Sequence, residues 1–296
     1  MNLIPEDYME ETKNKGIVFF DLDGTLLDNR KDMIPQSALR ALRLLKQNGY
    51  VVALSTGRDM DNHYSKKYQM QVEPDAIVHL NGIKITVGDQ FLFDHYMDEK
   101  LLGEIAAYAK AHDICFGTTV GKEDFYTVPR KRSHADAVYN KYIQRNYVPF
   151  DEIFRRGLRV RGLSYAGDLA REKAVIEARF PEIRLIGFTS QEGADVVERG
   201  YSKAEGMKKV CAYYGLDAKK AYAFGDSLND MEIIKAVGCG IAMGNAVPEL
   251  KAGADYVTDP IDQDGIWNAC RHFGLIECDS VKGDAANVDL TEAAEL

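Results

Sequence analysis

The chain has 296 residues, of which 46% are hydrophobic and 28% charged, and its formal net charge at pH 7 is −9. An acidic balance argues against a nucleic-acid-binding surface, because phosphate backbones require basic residues. No apolar run reaches the roughly 18 residues of a membrane span, and residues 1–15 lack the apolar stretch of a signal peptide. Five cysteines without a C-x-x-C pair favour reduced thiols. The sequence predicts a cytoplasmic protein that binds neither nucleic acid nor membrane.

The first and last parts of the chain alternate short apolar runs with helical periodicity. Residues 35–49 place Leu39, Leu42 and Leu45 on one helical face, with Pro35 before them and Gly49 after them. The predicted strands are residues 16–23, 50–56, 76–80, 221–225 and 239–243, and the predicted helices are 35–49, 203–214 and 229–237. Strands that alternate with helices predict an α/β fold with a doubly wound, Rossmann-like parallel sheet.

The middle of the chain has a different pattern and predicts an inserted α+β module. Residues 83–97 read as a hairpin around Gly88. Predicted helices follow at 99–112, 134–145 and 169–180, mixed with strand-like segments at 126–129, 158–167 and 183–188. The predicted core is therefore 1–82 with 190–278, the insertion is 83–189, and the polar, acidic tail 279–296 is expected to be flexible.

Residues 130–161 carry nine basic against three acidic side chains. These are either solvated helix faces or a surface that attracts an anionic substrate.

Two carboxylates, Asp21 and Asp23, stand at the end of the first predicted strand. A turn is one interpretation. A calcium loop would need Gly at its sixth position and Glu at its twelfth, where the chain has Leu26 and Asp32. Open parallel sheets bind ligands beyond the carboxyl ends of their strands, and residues two apart face the same side. The pair therefore also suits displacement chemistry, with one carboxylate attacking and the other moving protons.

Two further segments offer groups that bind an anion. The segment STGR at 55–58, with Thr56 and Gly57, follows the apolar run YVVAL of the second strand and is predicted to open a helix, as an anion site or as an ordinary helix cap. Lys203 follows Ser202 in the first turn of a predicted helix, where a cation costs about 0.3–1 kcal/mol. That position favours an anionic partner, although a surface lysine with a buried stem is the alternative.

The segment GDSLND at 225–230 follows another predicted strand. Asp226 and Asp230 supply carboxylates of the kind Mg²⁺ prefers. The alternative is a helix capping box formed by Ser227 and Asp230.

These segments, DLDGT at 21–25, STGR at 55–58, Lys203 at a helix start and GDSLND at 225–230, resemble the four motifs of the haloacid dehalogenase-like superfamily of phosphotransferases. The resemblance implies that Asp21 is a nucleophile forming an aspartyl-phosphate, and that Asp23 is the general acid and then the base. The implied catalytic residues are Asp21, Asp23, Thr56 and Lys203. The implied Mg²⁺ ligands are Asp21, the backbone carbonyl of Asp23, and Asp226. The implied phosphate-binding and supporting residues are Thr56, Gly57, Asn229 and Asp230.

The insertion lies between Thr56 and Lys203, and with its α+β pattern it resembles the type IIB cap of Cof-type sugar-phosphatase-like proteins. The segments LNGI at 80–83, 240–258 and DGI at 264–266 also agree with that subfamily. A cap that covers the site is expected to select the substrate. The candidate substrate contacts are Arg58 and Asn81, with Arg130, Lys131, Arg132, Tyr139 and Arg159 in the cap.

The predicted function is a Mg²⁺-dependent phosphatase acting on a small phosphorylated metabolite, with a sugar phosphate as the default. Flavin mononucleotide and pyridoxal phosphate are the other substrates that the resemblance implies. A phosphomutase or phosphotransferase is one alternative, and a non-catalytic ligand-binding protein is another. The sequence indicates no oligomeric state.

Overall fold

The computed structural model describes residues 14–127, 147–188 and 193–277, which form an α/β fold with two sheets. In chain order the strands are β1 Gly16–Phe20, β2 Tyr50–Ser55, β3 Ala76–His79, β4 Lys84–Val87, β5 Gln90–Asp94, β6 Cys115–Val120, β7 Glu123–Tyr126, β8 Tyr147–Pro149, β9 Leu163–Ala166, β10 Ile183–Gly187, β11 Gly193–Glu198, β12 Tyr222–Gly225, β13 Cys239–Ala242 and β14 Tyr256–Val257. The α-helices are α1 Gln36–Gln47, α2 Lys66–Val72, α3 Glu99–Ala111, α4 Asp151–Arg155, α5 Leu169–Arg179, α6 Lys203–Tyr213, α7 Met231–Ala236, α8 Pro248–Gly253 and α9 Gly265–His272.

The larger sheet has eight strands in the order β14-β13-β12-β1-β2-β3-β4-β5. Its first six strands are parallel, and β4 and β5 add an antiparallel hairpin at one edge. Every residue of β1 is buried, as expected for a strand covered on both faces. Helix α1 packs against α9, and α6 packs against α7. Because parallel crossovers are right-handed, these two groups of helices cover opposite faces.

The second sheet has six strands in the order β10-β11-β9-β6-β7-β8. All its pairs are antiparallel except β7 with β8. Phe116, Tyr165 and Leu185 of this sheet and Ile105 of α3 belong to a second hydrophobic cluster, separate from that of the larger sheet. This sheet lies within the segment predicted as the insertion, apart from β11.

The two sheets divide the chain at different residues from the predicted limits. Strands β4 and β5 form the predicted hairpin, but they extend the larger sheet because β3 pairs with β4. Strand β11 pairs with β9 and β10 in the second sheet, although its residues were predicted in the core. The domain limits at 83 and 190 stay a prediction.

Several predicted elements are shorter in the structure, and some lie outside the described residues. Only Leu163–Ala166 of the strand-like segment 158–167 forms a strand, and the predicted helix 229–237 begins as a 3-10 turn, Leu228–Asp230, before α7. The predicted helix 134–145 and the tail 279–296 lie outside the described residues.

Within the described ranges, every helix is too short or too polar to cross a membrane.

Candidate active site

Neighbouring parallel strands bring the predicted acidic residues to one edge of the larger sheet. Strand β1 lies between β2 and β12, and Phe20 pairs in register with Phe224. The Asp21 backbone N–H donates to the Phe224 carbonyl at 3.0 Å, so Asp21 and Asp226 follow adjacent strands side by side. The strand order changes direction between β12 and β1, which is where open α/β sheets form a ligand-binding crevice.

Lys203 opens α6, and its ammonium group is buried between two carboxylates. Its Nζ donates at 2.6 Å to Asp21 Oδ1 and at 2.6 Å to Asp230 Oδ1, and the residue is 1% exposed. Burial acts to lower the pKa of Lys203, but the two carboxylates outweigh it and raise this pKa above its usual value. Ser202 caps the helix by accepting a hydrogen bond from Glu205 N at 3.2 Å. Because Lys203 is buried, the alternative prediction of a surface lysine is wrong.

Three carboxylates beside Lys203 form a group that could hold a divalent cation. Oxygens of Asp21, Asp226 and Asp230 all lie within 4.8 Å of one another, and the three residues are buried. Burial raises the pKa of Asp21 well above its usual value; Lys203 opposes this rise and the neighbouring carboxylates add to it. Burial and the nearby Asp230 raise the pKa of Asp226 to about 7. Carboxylate oxygens are the ligands that Mg²⁺ prefers, so the donor set fits this cation.

Asp230 differs from the other two carboxylates because protein groups already bind both of its oxygens. Its Oδ2 accepts from the backbone N–H groups of Asp226 at 3.0 Å and Ser227 at 3.1 Å, while Oδ1 accepts from Lys203. The same carboxylate therefore caps the turn after β12 and orients the lysine. Asp230 can therefore both cap the helix and support the site, and the two interpretations of this segment are compatible.

The carboxylate of Asp23 is bound by Arg58 and is not part of the clustered group. Arg58 Nε and Nη2 donate to its two oxygens at 2.7 Å and 2.6 Å, a bidentate geometry with strong directional preference. The Arg58 guanidinium carbon also lies 5.5 Å from the ring centroid of Tyr68. The Asp23 side chain is 36% exposed, so solvent reaches this carboxylate.

Gly24 allows this loop to approach Asp226. Its φ is +80°, and a Cβ atom on this residue would lie 2.4 Å from Asp226 Oδ2. The next residue, Thr25, is buried and donates from Oγ1 to Asp226 Oδ1 at 3.0 Å. The loop after β1 thus holds the carboxylate that follows β12.

Thr56 and Gly57 lie at the end of β2. The prediction that a helix begins there is wrong. Residues 56–65 form turns, and α2 begins at Lys66. Thr56 is 1% exposed, and its Oγ1 accepts from the Arg58 backbone N–H at 3.1 Å. The predicted anion site at a helix N-terminus is therefore replaced by a turn.

An ion-pair cluster around the buried Lys84 fixes this turn and explains the difference. Lys84 Nζ of β4 donates to Asp59 Oδ1 at 2.6 Å and to Asp61 Oδ2 at 2.5 Å, and His79 Nδ1 accepts from Met60 N at 3.1 Å. Burial opposes ionisation of Asp59, but the neighbouring His79 ring and the Lys84 ammonium group hold the pKa of Asp59 below its usual range. These contacts come from β3 and β4, so local sequence gives no indication of them.

Asn81 joins the site to the second sheet. Its backbone N–H donates to the Thr56 carbonyl at 3.0 Å, and its Nδ2 donates to Asp195 Oδ2 at 2.8 Å. Its Oδ1 accepts from Asn229 Nδ2 at 3.3 Å. The predicted residues Asn81 and Asn229 are thus in contact, and Asp195 is a site residue that the sequence prediction missed. The available signal was an acidic residue in a strand between buried Ala194 and Val196.

Asp195 gives a pH prediction. Burial raises the pKa of its carboxyl to about 6, so between pH 4 and 6 the folded protein holds a proton that the unfolded chain releases, and stability falls as pH rises. Asp195→Asn keeps an acceptor for Asn81 and removes this titration. We expect the variant to match the wild type near pH 4 and to exceed it by about 2–3 kcal/mol above pH 6.5. Urea unfolding across this pH range tests it, and a constant difference would contradict it.

A cavity of 540 Å³ lies between the site and the second sheet. Its wall includes residues of the segments 57–65 and 80–84 in the core, and of 117–121, 159–164 and 195–197 on the other side. The predicted contacts Gly57, Arg58, Asn81 and Arg159 all lie on this wall, whereas Arg130, Lys131, Arg132 and Tyr139 fall outside the described residues.

An open sheet with carboxylates at its switch point and a second sheet over them is the arrangement that the motif resemblance implies for a phosphoryl-transfer enzyme. A sequence model of the haloacid dehalogenase-like hydrolases matches residues 18–270, and the chain belongs to that family. The resemblance drawn from the four motifs is confirmed.

Similar proteins narrow the assignment within this family. The chain is 32% identical over 263 residues to the candidate phosphatase YkrA of Bacillus subtilis, covering 88% of this chain and 98% of YkrA. It is 26% identical to the 5-amino-6-(5-phospho-D-ribitylamino)uracil phosphatase YitU of Bacillus subtilis, over 87% of this chain and 97% of YitU. Its fold matches that of the subclass IIB sugar phosphatase BT4131 with a TM-score of 0.77 and 24% identity, over 88% of this chain and 100% of the other. The protein is a phosphoric monoester hydrolase of the haloacid dehalogenase-like type, with an α/β core and a cap.

Proposed function

We propose that the protein is a Mg²⁺-dependent phosphatase that hydrolyses a small phosphomonoester, a sugar phosphate or similar metabolite, through an aspartyl-phosphate on Asp21. The observation that carries the proposal is the buried contact between Lys203 Nζ and Asp21 Oδ1 at 2.6 Å. Lys203 binds Oδ1, and within the described part of the chain no hydrogen bond reaches Oδ2. The second oxygen is therefore available to attack phosphorus.

Asp21, Asp226 and the backbone carbonyl of Asp23 would hold Mg²⁺. When bound, this cation would neutralise charge on the phosphoryl oxygens. Lys203 offsets the negative charge of Asp21 and orients its carboxylate for attack. Asp230 binds both the Lys203 ammonium group and the Asp226 backbone N–H. It therefore keeps Lys203 and Asp226 in fixed positions relative to each other. Water exclusion by the cap strengthens these charge interactions, because the local dielectric is low.

The proton steps are assigned to Asp23. In the first step Asp21 Oδ2 bonds to phosphorus, the bond from phosphorus to the substrate oxygen breaks, and Asp23 gives that oxygen a proton. In the second step Asp23 takes a proton from water, which attacks phosphorus and releases phosphate and free Asp21. Arg58 donates to both Asp23 oxygens in the structure, so one of these two bonds must open for Asp23 to carry the proton, while the other keeps the carboxyl group oriented.

Phosphate contact is assigned to the Thr56 hydroxyl, the Gly57 N–H and Asn229. Thr56 lies at the end of β2, beside β1, and Asn229 reaches the same region through Asn81. Arg58 and Asn81 line the cavity and are assigned to the substrate beyond its phosphate. The similarity to YitU supports a small phosphorylated metabolite as the substrate class.

The first experiment is a phosphatase screen with Mg²⁺ and with EDTA. Sugar phosphates, nucleotides, flavin mononucleotide, pyridoxal phosphate and p-nitrophenyl phosphate are offered to the purified protein, and released phosphate is measured. We expect turnover that EDTA abolishes and Mg²⁺ restores. Reaction in ¹⁸O-labelled water separates hydrolysis from phosphoryl transfer to an alcohol, because only hydrolysis places the label in phosphate. No turnover of any compound would instead favour a ligand-binding role.

Asp23→Asn tests the general acid. We expect kcat for a sugar phosphate to fall by roughly 10²–10⁴-fold, because the sugar alkoxide is a poor leaving group. The loss in the first step should be much smaller for p-nitrophenyl phosphate, whose leaving group needs no proton. Burst kinetics separate this step from hydrolysis of the phosphoryl-enzyme. An equal loss of the first step for both substrates would contradict the assignment.

A further inference from the structure

The cavity wall carries four basic side chains in the described ranges: Arg58, Lys84, Arg159 and Arg161. Three of them have carboxylate partners: Arg58 binds Asp23, Lys84 binds Asp59 and Asp61, and Arg161 binds Asp94 through two bonds at 2.6 Å and 2.9 Å. These three charges are balanced inside the protein, so each attracts an anion less strongly than an unpaired cation would.

Arg159 differs from the other three. Within the described residues no ion pair or hydrogen bond engages its guanidinium group, whose carbon lies 3.6 Å from the ring centroid of Tyr96. Arg161 holds that ring in place by donating to the Tyr96 hydroxyl at 2.7 Å. Stacking on an aromatic ring restricts the guanidinium without using its N–H donors. Arg159 is an exposed residue on the cavity wall, and its stacked guanidinium group offers unneutralised donors to the cavity.

Arg159 shares the cavity with residues next to the proposed phosphate site. Gly57 and Arg58, which adjoin the proposed phosphate site, line the same cavity as Arg159. A volume of 540 Å³ accommodates a small metabolite. One bound molecule can therefore place its phosphate at the core edge and its other end against the cap.

We propose that Arg159 forms a subsite for a second anionic group, a carboxylate or a second phosphate, on the phosphomonoester substrate. A guanidinium group binds either anion in a bidentate geometry. This inference rests on the proposed function, since it concerns the far end of the same substrate. It narrows the substrate class to phosphomonoesters that carry two anionic groups.

The test compares matched substrates on wild type, Arg159→Gln and Arg155→Gln. Arg155 is a suitable control because it is an exposed arginine of α4 paired with Glu152, and it is not part of the cavity wall. The pairs are 6-phosphogluconate with glucose 6-phosphate, and fructose 1,6-bisphosphate with fructose 6-phosphate. The first pair reports on a carboxylate, and the second reports on a phosphate.

We expect Arg159→Gln to lower kcat/KM roughly 10- to 100-fold for at least one doubly anionic substrate. Its singly phosphorylated partner should change much less, and Arg155→Gln should resemble the wild type. The loss should fall mainly on KM, because Arg159 binds a group remote from the reacting phosphorus. Arg159→Lys should recover part of the effect, since it keeps the charge and loses the fork. Equal effects of Arg159→Gln on both members of each pair would overturn the proposal.

Binding separates failure of this inference from failure of the proposed function. Calorimetric titration of the same four compounds into Asp21→Asn, with and without Arg159→Gln, measures the subsite without turnover. A selective loss of affinity for a doubly anionic compound supports the subsite even if no hydrolysis is found. Turnover of the singly phosphorylated compounds, together with unselective binding, would leave the phosphatase standing and remove the subsite.

Discussion

Asp21→Asn is expected to abolish phosphatase activity, with a loss of at least about 10⁴-fold in kcat, as found when a catalytic nucleophile is removed. An amide oxygen is a far weaker nucleophile than a carboxylate, and the variant cannot form an acyl phosphate that water hydrolyses. The substitution keeps the size of a buried side chain, so the fold should persist. Steady-state kinetics with Mg²⁺ measure the loss, and circular dichroism confirms the fold.

Trapping of the intermediate makes this prediction specific. Acid quenching of the wild type during turnover, followed by peptide mass analysis, should find one phosphoryl group on the peptide that contains Asp21. Asp32→Asn is a matched control, because Asp32 is an exposed acid nearby that pairs with Lys67, and its activity should stay close to that of the wild type. Substantial turnover by Asp21→Asn, or a phosphoryl group on another residue, would remove the proposed nucleophile.

The parts of the fold that the sequence predicts are those with strong local patterns. Strand β1 is a continuous apolar run that is buried throughout, and α1 has its leucines on one face with Pro35 and Gly49 at its limits. Acids at strand ends and a lysine at a helix start are also local features. The positions of Asp21, Asp226 and Lys203 could therefore be predicted, because parallel strands end at a common edge.

Features that depend on distant contacts could not be predicted in this way. The turn after Thr56 is not helical because Lys84, from a later strand, binds Asp59. Asp195 reaches Asn81 across 114 positions of sequence, and a single acidic residue in a strand gives no indication of its partner. The bidentate pair of Arg58 with Asp23 is likewise a tertiary contact. These two residues were predicted for separate roles, and their binding to each other was not predicted. Pairing of β4 with β3 decided which sheet the hairpin joins.

Lys203→Met is expected to cost about 3–5 kcal/mol in the free energy of unfolding, because it leaves buried carboxylates without their cation. Asp21 and Asp230 each lose a hydrogen bond of 2.6 Å, and their mutual repulsion, with Asp226 beside them, is no longer offset. Urea unfolding in the presence of EDTA measures the effect. Lys208→Met is the matched control, since Lys208 lies on the same helix with its side chain 58% exposed and pairs with Glu205; its change should stay within about 0.5 kcal/mol.

The loss of stability in Lys203→Met should also depend on pH, and the carboxylates that remain determine whether it grows or shrinks as pH rises. Without the lysine, burial and like charges raise the pKa values of Asp21 and Asp226 further, so the folded variant binds protons more tightly than the unfolded chain. Its stability should therefore fall as pH rises, and the deficit against the wild type should be larger at pH 8 than at pH 5. Adding Asp230→Asn to Lys203→Met removes one of the repelling charges and should recover part of the loss at pH 8. A deficit equal to that of Lys208→Met would mean that the ammonium group does not hold these carboxylates together, and the proposed geometry of attack at Asp21 would fail with it.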